Sequence, residues 1–242
     1  MHTTSQQLIA AAQRLAREAG RLSFSEPVTL VYNPLDYAWN AHEVYLRRFG
    51  TGQKRVVFLG MNPGPFGMVQ TGIPFGEICA VRDWMRLEAP IRQPKWQHPK
   101  RPIEGFSCRR SEVSGQRLWG LFAQRFGTAE KFFAEHFVVN FCPLAFLEAS
   151  GRNRTPDKIQ ADEVAPLFAA CDEHLAKVVS ILEPEWVIGI GGFAAERAAL
   201  NVNAGKIGVG QILHPSPANP AANRDWAGLV TAQLRKLGVW EY

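Results

Sequence analysis

Residues 55–77 read RVVFLGMNPGPFGMVQTGIPFGE, and this stretch decides the fold. Arg55–Leu59 is a short, continuous apolar run, the pattern of a strand covered on both faces. It breaks off into a segment with five glycines and three prolines among the eighteen residues from Gly60 to Glu77. That composition sets a rigid, non-repetitive loop whose backbone can approach a ligand closely. A generic strand exit is short and polar. This one is long, pre-shaped and carries aromatic residues, as the wall of a ligand site does.

Outward from it, three more apolar runs repeat the theme: Phe137–Asn140 (FVVN), Trp186–Ile190 (WVIGI) and Val209–Leu213 (VGQIL). Each is followed by polar or glycine-containing residues and then a helical pattern, as parallel strands joined by helices require. Between the second and third runs, Thr155-Pro156-Asp157 has the order of an N-cap, a first-turn proline and a first-turn acid. Apolar residues keep helical spacing from Ile159 to Leu182, where Glu183-Pro184 stops them, and Pro166 is expected to bend that helix. The N-terminal 20 residues and Trp226–Leu237 read as further amphipathic helices. The expected architecture is α/β: one domain over residues 1–242, with a short, mostly parallel four-stranded sheet and helices on both faces. Ligands of such folds sit at the carboxyl ends of the strands. Asn62, Asn140 and His214 all fall there, although one sequence does not reveal the strand order.

The chain has 242 residues, 46% hydrophobic and 20% charged, an ordinary globular balance. No segment approaches the roughly 20 apolar residues that span a bilayer. The N-terminus has no continuous apolar core, so a cytoplasmic, bacterial-type intracellular protein is the expectation, with no membrane partner. The net charge is +5, and from Arg92 to Arg110 six basic residues face one acid, Glu104. A polyanionic partner and a solvated, proline-rich loop both account for that surplus. The four cysteines, Cys79, Cys108, Cys142 and Cys171, have no C-x-x-C spacing, so free buried thiols are expected and neither a metal nor an iron–sulfur cluster is.

Two further motifs lie at strand exits. Gly189-Ile190-Gly191-Gly192-Phe193-Ala194 fits a dinucleotide fingerprint, but the acid expected about 20 positions later is missing from Val209–His214, which favours a tight turn packed through small residues. His214-Pro215-Ser216-Pro217-Ala218-Asn219-Pro220 places a histidine at a strand's carboxyl end, followed by three prolines in six residues that stiffen a protruding turn. A lone histidine is as readily structural as catalytic.

GMNPGPFGMVQTGIPFGE, VVNFCPL and HPSPANPAANRDW, in that order and each after a strand, closely resemble the single-strand-selective monofunctional uracil-DNA glycosylases of the uracil-DNA glycosylase superfamily. The motif match covers about forty residues. The resemblance implies a monofunctional DNA glycosylase of base excision repair that flips uracil, and 5-substituted uracils such as 5-hydroxymethyluracil, out of DNA and hydrolyses the N-glycosidic bond. It assigns Asn62 to orienting the attacking water and His214 to stabilising the departing base. It assigns Asn140 to reading the base edge and Phe75 to stacking on it. Gly64 takes the place beside uracil C5, where the uracil-specific branch has a bulky tyrosine; Met68 joins the pocket lining, and Met61 suits the lining and a plain core position equally. Ser216, Pro217, Ala218, Asn219 and Arg224 fall in the element that enters DNA. Many relatives carry an arginine where this chain has Ala218, so a weaker wedge, with single-stranded and mismatched DNA preferred over matched duplex, is expected. No lysine lies in the three blocks, so no Schiff base forms and no strand is cut. The resemblance implies neither cofactor nor metal, and a monomer is expected. A dinucleotide-dependent oxidoreductase, an iron–sulfur glycosylase and a non-catalytic nucleic-acid-binding module are the competing readings.

Overall fold

The structure is a computed structural model and describes residues 2–202 and 206–241. In chain order the elements are α1 (Thr4–Ala19), β1 (Val28–Tyr32), α2 (Pro34–Tyr37), α3 (Trp39–Phe49), β2 (Val56–Gly60), α4 (Met68–Thr71), α5 (Val113–Phe126), α6 (Ala129–Glu135), β3 (His136–Asn140), β4 (Ala145–Glu148), β5 (Asn153–Arg154), α7 (Ala161–Leu182), β6 (Trp186–Ile190), α8 (Gly192–Asn201), β7 (Gly208–Ile212) and α9 (Pro220–Lys236).

The four apolar runs pair as one fully parallel sheet in the order β3-β2-β6-β7. All five residues of β2 and of β3 are buried, which is why the runs are continuous rather than alternating. Side chains alternate between faces along a strand. Phe58 packs on α5 and α6 through Phe122 and Phe132. On the opposite face Gly189, the partner of Leu59, lies against α8, where a Cβ would fall 2.2 Å from the Ala195 nitrogen. Helices therefore cover both faces, as expected. The chain reverses its direction of strand addition between β2 and β6, so the crevice at their carboxyl ends is the natural ligand site of this topology.

Three expectations need correction. The Thr155-Pro156-Asp157 signal opens only a 3₁₀ turn, Pro156–Lys158; Ile159 is extended and α7 starts afresh at Ala161. The last helix begins at Pro220, capped by Asn219, and Asp225 (φ −156°, ψ 74°) separates a first turn from the body that starts at Trp226. Cys79 is exposed, whereas Cys108, Cys142 and Cys171 are buried free thiols. α7 runs on through Pro166, whose place in the second turn removes a single backbone bond. A three-stranded antiparallel sheet, β1-β4-β5, was not legible because its strands are short and only partly apolar. It buttresses the loop after β2: Asn153 donates to the Pro63 carbonyl at 2.9 Å.

Burial also makes a testable statement about acid stability. His42 and His136 are buried, each with Nδ1 on a backbone carbonyl (Gly72 and Phe132), and burial lowers both imidazoles to about 4. The Nε2 of His136 is buried without a partner. The unfolded chain takes up these protons below about pH 6.5, while the native state does so only near 4. Their contribution to stability is therefore complete above pH 6.5 and lost as pH falls towards 4. Urea melts at pH 7 and pH 5 are expected to differ by about 2 kcal/mol per such histidine. In His136→Phe that difference shrinks by one histidine's share; an unchanged pH dependence would refute the account.

Candidate active site

The register of the parallel sheet brings the separated motifs together. Gly60 pairs with Asn140 at the ends of β2 and β3, and the ladder continues through Phe141 N–H to the Gly60 carbonyl and Cys142 N–H to the Met61 carbonyl. Met61 is half-buried there and Asn62 follows at the strand mouth. Asn62 donates its amide to the Leu144 carbonyl at 3.3 Å. That bond leaves the side-chain oxygen as the group that can accept a hydrogen from water.

Asn140 is buried, and its Nδ2 reaches Met68 Sδ at 3.2 Å. Its Oδ1 is buried with no hydrogen-bond partner. Leaving such an acceptor unpaired costs about 1–3 kcal/mol, which singles it out as a binding group. The Phe75 ring stands beside it: a Cβ on Gly60 would fall 2.2 Å from Asn140 Oδ1 and 2.5 Å from Phe75 Cε2. Only a glycine at 60 lets the amide and the ring share this place. Phe75 holds a left-handed backbone (φ 53°) that a bulky residue rarely adopts. Its carbonyl accepts the Trp119 indole N–H at 3.0 Å, and Gly115 lets α5 close on it, since a Cβ there would lie 2.1 Å away.

The rest of the loop is locked by its own polar groups. Gln70 donates to the Pro65 and Pro102 carbonyls and accepts from Glu104 and Gly105 N–H; Thr71 Oγ1 donates within reach of both the Gly67 and Gly76 carbonyls. One turn of helix, α4, and the left-handed Gly72 (φ 75°) sit inside what the sequence reads as irregular. Met68 belongs to this turn and is buried behind Asn140.

His214 faces this group two residues past β7, its ring 6.2 Å from that of Phe75. Gly191 (φ 93°) makes room for it, for a Cβ there would lie 3.2 Å from His214 Cβ. The glycines of the apparent dinucleotide fingerprint thus serve packing, of α8 on β6 and of His214 over β6. Ser216 N–H donates to His214 Nδ1 at 3.1 Å, so Nδ1 is the acceptor and the neutral ring carries its proton on Nε2. Burial lowers this imidazole to about 4, so the uncharged form is present at neutral pH.

The sequence does not single out four contributors as site residues. Gly60 and Gly191 act by what they omit. Glu112, before α5, accepts Phe66 N–H at 3.1 Å, and its carboxylate lies 2.5 Å from where a Cβ on Gly64 would be. Burial raises its pKa above the usual carboxylate value, and the Phe66 bond partly offsets that. The space that a side chain at Gly64 would take is therefore filled by the Glu112 carboxyl group. Arg117 of α5 donates to the Pro215 carbonyl at 3.1 Å and to Asn223 Oδ1 at 2.8 Å, clamping the turn after His214. In that turn Ser216 accepts from Ala218 N–H, Pro217 and Ala218 are exposed, and Asn219 gives its side-chain oxygen to Ala221 N–H as the cap of α9. Arg224 is exposed on the segment of α9 that precedes Asp225. Among the described residues no cluster of three or more His, Cys, Asp or Glu could hold a metal.

Comparison with known proteins identifies the family. Residues 47–235 match the profile of the Uracil DNA glycosylase superfamily. The chain is 47% identical over 228 residues to a single-strand selective monofunctional uracil DNA glycosylase of Bos taurus, covering 93% of this chain and 84% of that protein. The Mus musculus protein of the same description is 46% identical, with 93% and 82% covered. The crystal structure of wild-type Pedobacter heparinus SMUG2 superposes with a TM-score of 0.64 over 98% of each chain at 18% identity, a likeness of fold. With residues 47–235 matched by the family profile and 93% of its length aligned at 47% identity to the Bos taurus glycosylase, this chain belongs to the uracil DNA glycosylase superfamily.

Proposed function

We propose that this protein is a monofunctional DNA glycosylase that hydrolyses the N-glycosidic bond of uracil in DNA and leaves an abasic site for base excision repair. The observation that carries this reading is the buried, unpartnered Oδ1 of Asn140 beside the Phe75 ring. Uracil N3–H is the donor that acceptor lacks, and the Asn140 amide group donates to O4. Cytosine presents the reverse pattern at both positions and is rejected. Phe75 stacks on the flipped base, a contact worth about 1–3 kcal/mol.

With Nδ2 held by Leu144, Asn62 accepts a hydrogen from the attacking water and aims its lone pair at C1′. An amide is no general base at neutral pH, so the main acceleration comes from stabilising the leaving uracil anion. His214 does so as a neutral Nε2–H donor to O2, held in that tautomer by Ser216. Lys54, the lysine nearest in sequence to the first motif, lies before β2 at the end of the strand opposite the crevice, with Nζ on the Phe133 carbonyl, so its amine is not placed to attack C1′. 5-Substituted uracils are also substrates: no bulky side chain stands at Gly64, and the Glu112 carboxyl that occupies that side offers an acceptor to a 5-hydroxymethyl group. Exposed Ala218 is a small wedge, so single strands and mispaired uracil, which cost least to flip, are cleaved faster than matched duplex. The enzyme acts as a monomer in the cytoplasm, on the nucleoid; no helix among the described residues is long and apolar enough to cross a membrane.

A labelled single-stranded oligonucleotide with one uracil, incubated with the protein and then treated with hot alkali, tests the reading. Scission only after alkali, lost or sharply slowed in Asn62→Ala and Asn140→Ala, is the expected result. No scission with uracil, 5-hydroxymethyluracil, xanthine or hypoxanthine would place the non-catalytic binding module in front. Fastest cleavage in matched duplex would overturn the strand preference.

A further inference from the structure

The excursion that carries the charge surplus ends in an exposed indole. Trp96 is 71% exposed, more than any other large hydrophobic side chain among the described residues, and the Lys95 ammonium lies 5.4 Å from its ring centroid. An aromatic ring of this size normally buries most of its surface. The segment that presents it is firmly held. Two residues on, His98 is 5% exposed; its N–H donates to the Tyr32 hydroxyl at 2.8 Å, which itself donates to the Arg101 carbonyl at 2.7 Å. Gln97 accepts Ile103 N–H at 2.8 Å. The base of the excursion is fastened to the pocket loop: Gln70 holds Pro102, Glu104 and Gly105, and the Phe66 ring lies between the guanidinium groups of Arg101 (5.2 Å) and Arg110 (4.0 Å). From the Phe66 ring, Arg101, Lys100 and Lys95 follow one another along the chain to Trp96. Lys95 and Lys100 are exposed, whereas Arg92 is occupied by Asp36.

We propose that Trp96, with Lys95, Lys100 and Arg101, is a stacking platform for an unpaired base of the substrate strand beyond the flipped-out nucleotide, the cations taking the flanking phosphates. An aromatic face stacks on any base, for about 1–3 kcal/mol, and needs no sequence. In duplex DNA both faces of a base are already stacked, so the platform favours single strands. The rigid presentation means little conformational freedom is lost on binding. The proposal takes its partner, DNA, from the glycosylase reading. The absence of any acid between Arg92 and Ile103 argues independently for a polyanion.

Steady-state kinetics on two single strands test it: one with about ten nucleotides on each side of the uracil, and a trinucleotide with uracil in the middle. Trp96→Ala is expected to raise KM on the long strand by about 5- to 100-fold with kcat retained, and Trp96→Phe to restore most of that loss. Lys95→Ala/Lys100→Ala should raise KM and flatten its salt dependence by about one unit of log–log slope. Variant and wild type converge on the trinucleotide. An equal KM rise on both lengths, or none on either, overturns the platform. Anisotropy titration of a labelled, uracil-free strand of the long length reads the same loss without chemistry. If the wild type cleaved no uracil strand the glycosylase reading would fall, and this titration would still decide the platform. A Trp96→Ala variant that lost a dimer on sizing but kept its strand affinity would assign the surface to self-association and refute it.

Discussion

Replacing His214 by alanine is expected to slow uracil release from a single-stranded oligonucleotide by about 10²- to 10³-fold in kcat, the loss typical of one preorganised donor to a developing anion. The wild-type pH profile separates this role from that of an imidazolium. Burial holds His214 near 4, and Ser216 N–H occupies Nδ1, so the ring is neutral and donating through Nε2 across the working range. The rate should therefore show no limb from His214 between about pH 5.5 and 8. A cationic His214 with an ordinary pKa near 6.5 would instead lose rate as pH rises through that value. Such a falling limb, absent from His214→Ala, would refute the neutral-donor assignment. The ring nitrogen shifts of labelled histidine provide an independent check, with Nε2 expected to carry the proton at pH 7.

Gly60→Ala is expected to cost about 10²-fold or more in kcat/KM although residue 60 makes no bond to the base. Its Cβ would lie 2.2 Å from Asn140 Oδ1 and 2.5 Å from Phe75 Cε2, distances at which something must move. Neither neighbour yields easily: Asn140 ends a buried strand, and Phe75 is fixed by the Trp119 bond and by its own left-handed backbone. Displacing reading amide and stacking ring by about 1 Å costs on the order of 10²-fold. Overpacking adds roughly 1–3 kcal/mol of destabilisation, so activity is to be compared with the folded fraction at the assay temperature. Gly120→Ala, where a Cβ meets nothing within 4 Å on the exposed side of α5, is the control and should be as active as wild type. Wild-type kcat/KM in Gly60→Ala would show that the amide and ring do not share the pocket in the way described.

By itself the sequence determined the layers and the end of the sheet where the candidate site lies. Four apolar runs long enough for one strand each, with helical spacing between them, admit little besides a parallel sheet covered on both sides, because a strand without polar alternation has no face to give to water. Strand exits loaded with Gly, Pro, Asn and His placed Asn62, Asn140 and His214 at one end of that sheet. The boundaries that failed did so for local reasons: Thr155-Pro156-Asp157 has the chemistry of a helix start, yet the chain opens a single turn there before α7 begins at Ala161. Tertiary structure alone decided the order β3-β2-β6-β7, and with it which exits face one another. It also decided the roles of Glu112 and Arg117, which reach the pocket loop and the His214 turn from 46 and 98 residues away along the chain. Contacts at that separation leave no periodic or compositional trace. The glycine motifs were legible, but which side chains Gly60 and Gly191 make room for was not, and neither was the His214 proton, which depends on a desolvation that exists only once the chain has closed over the ring.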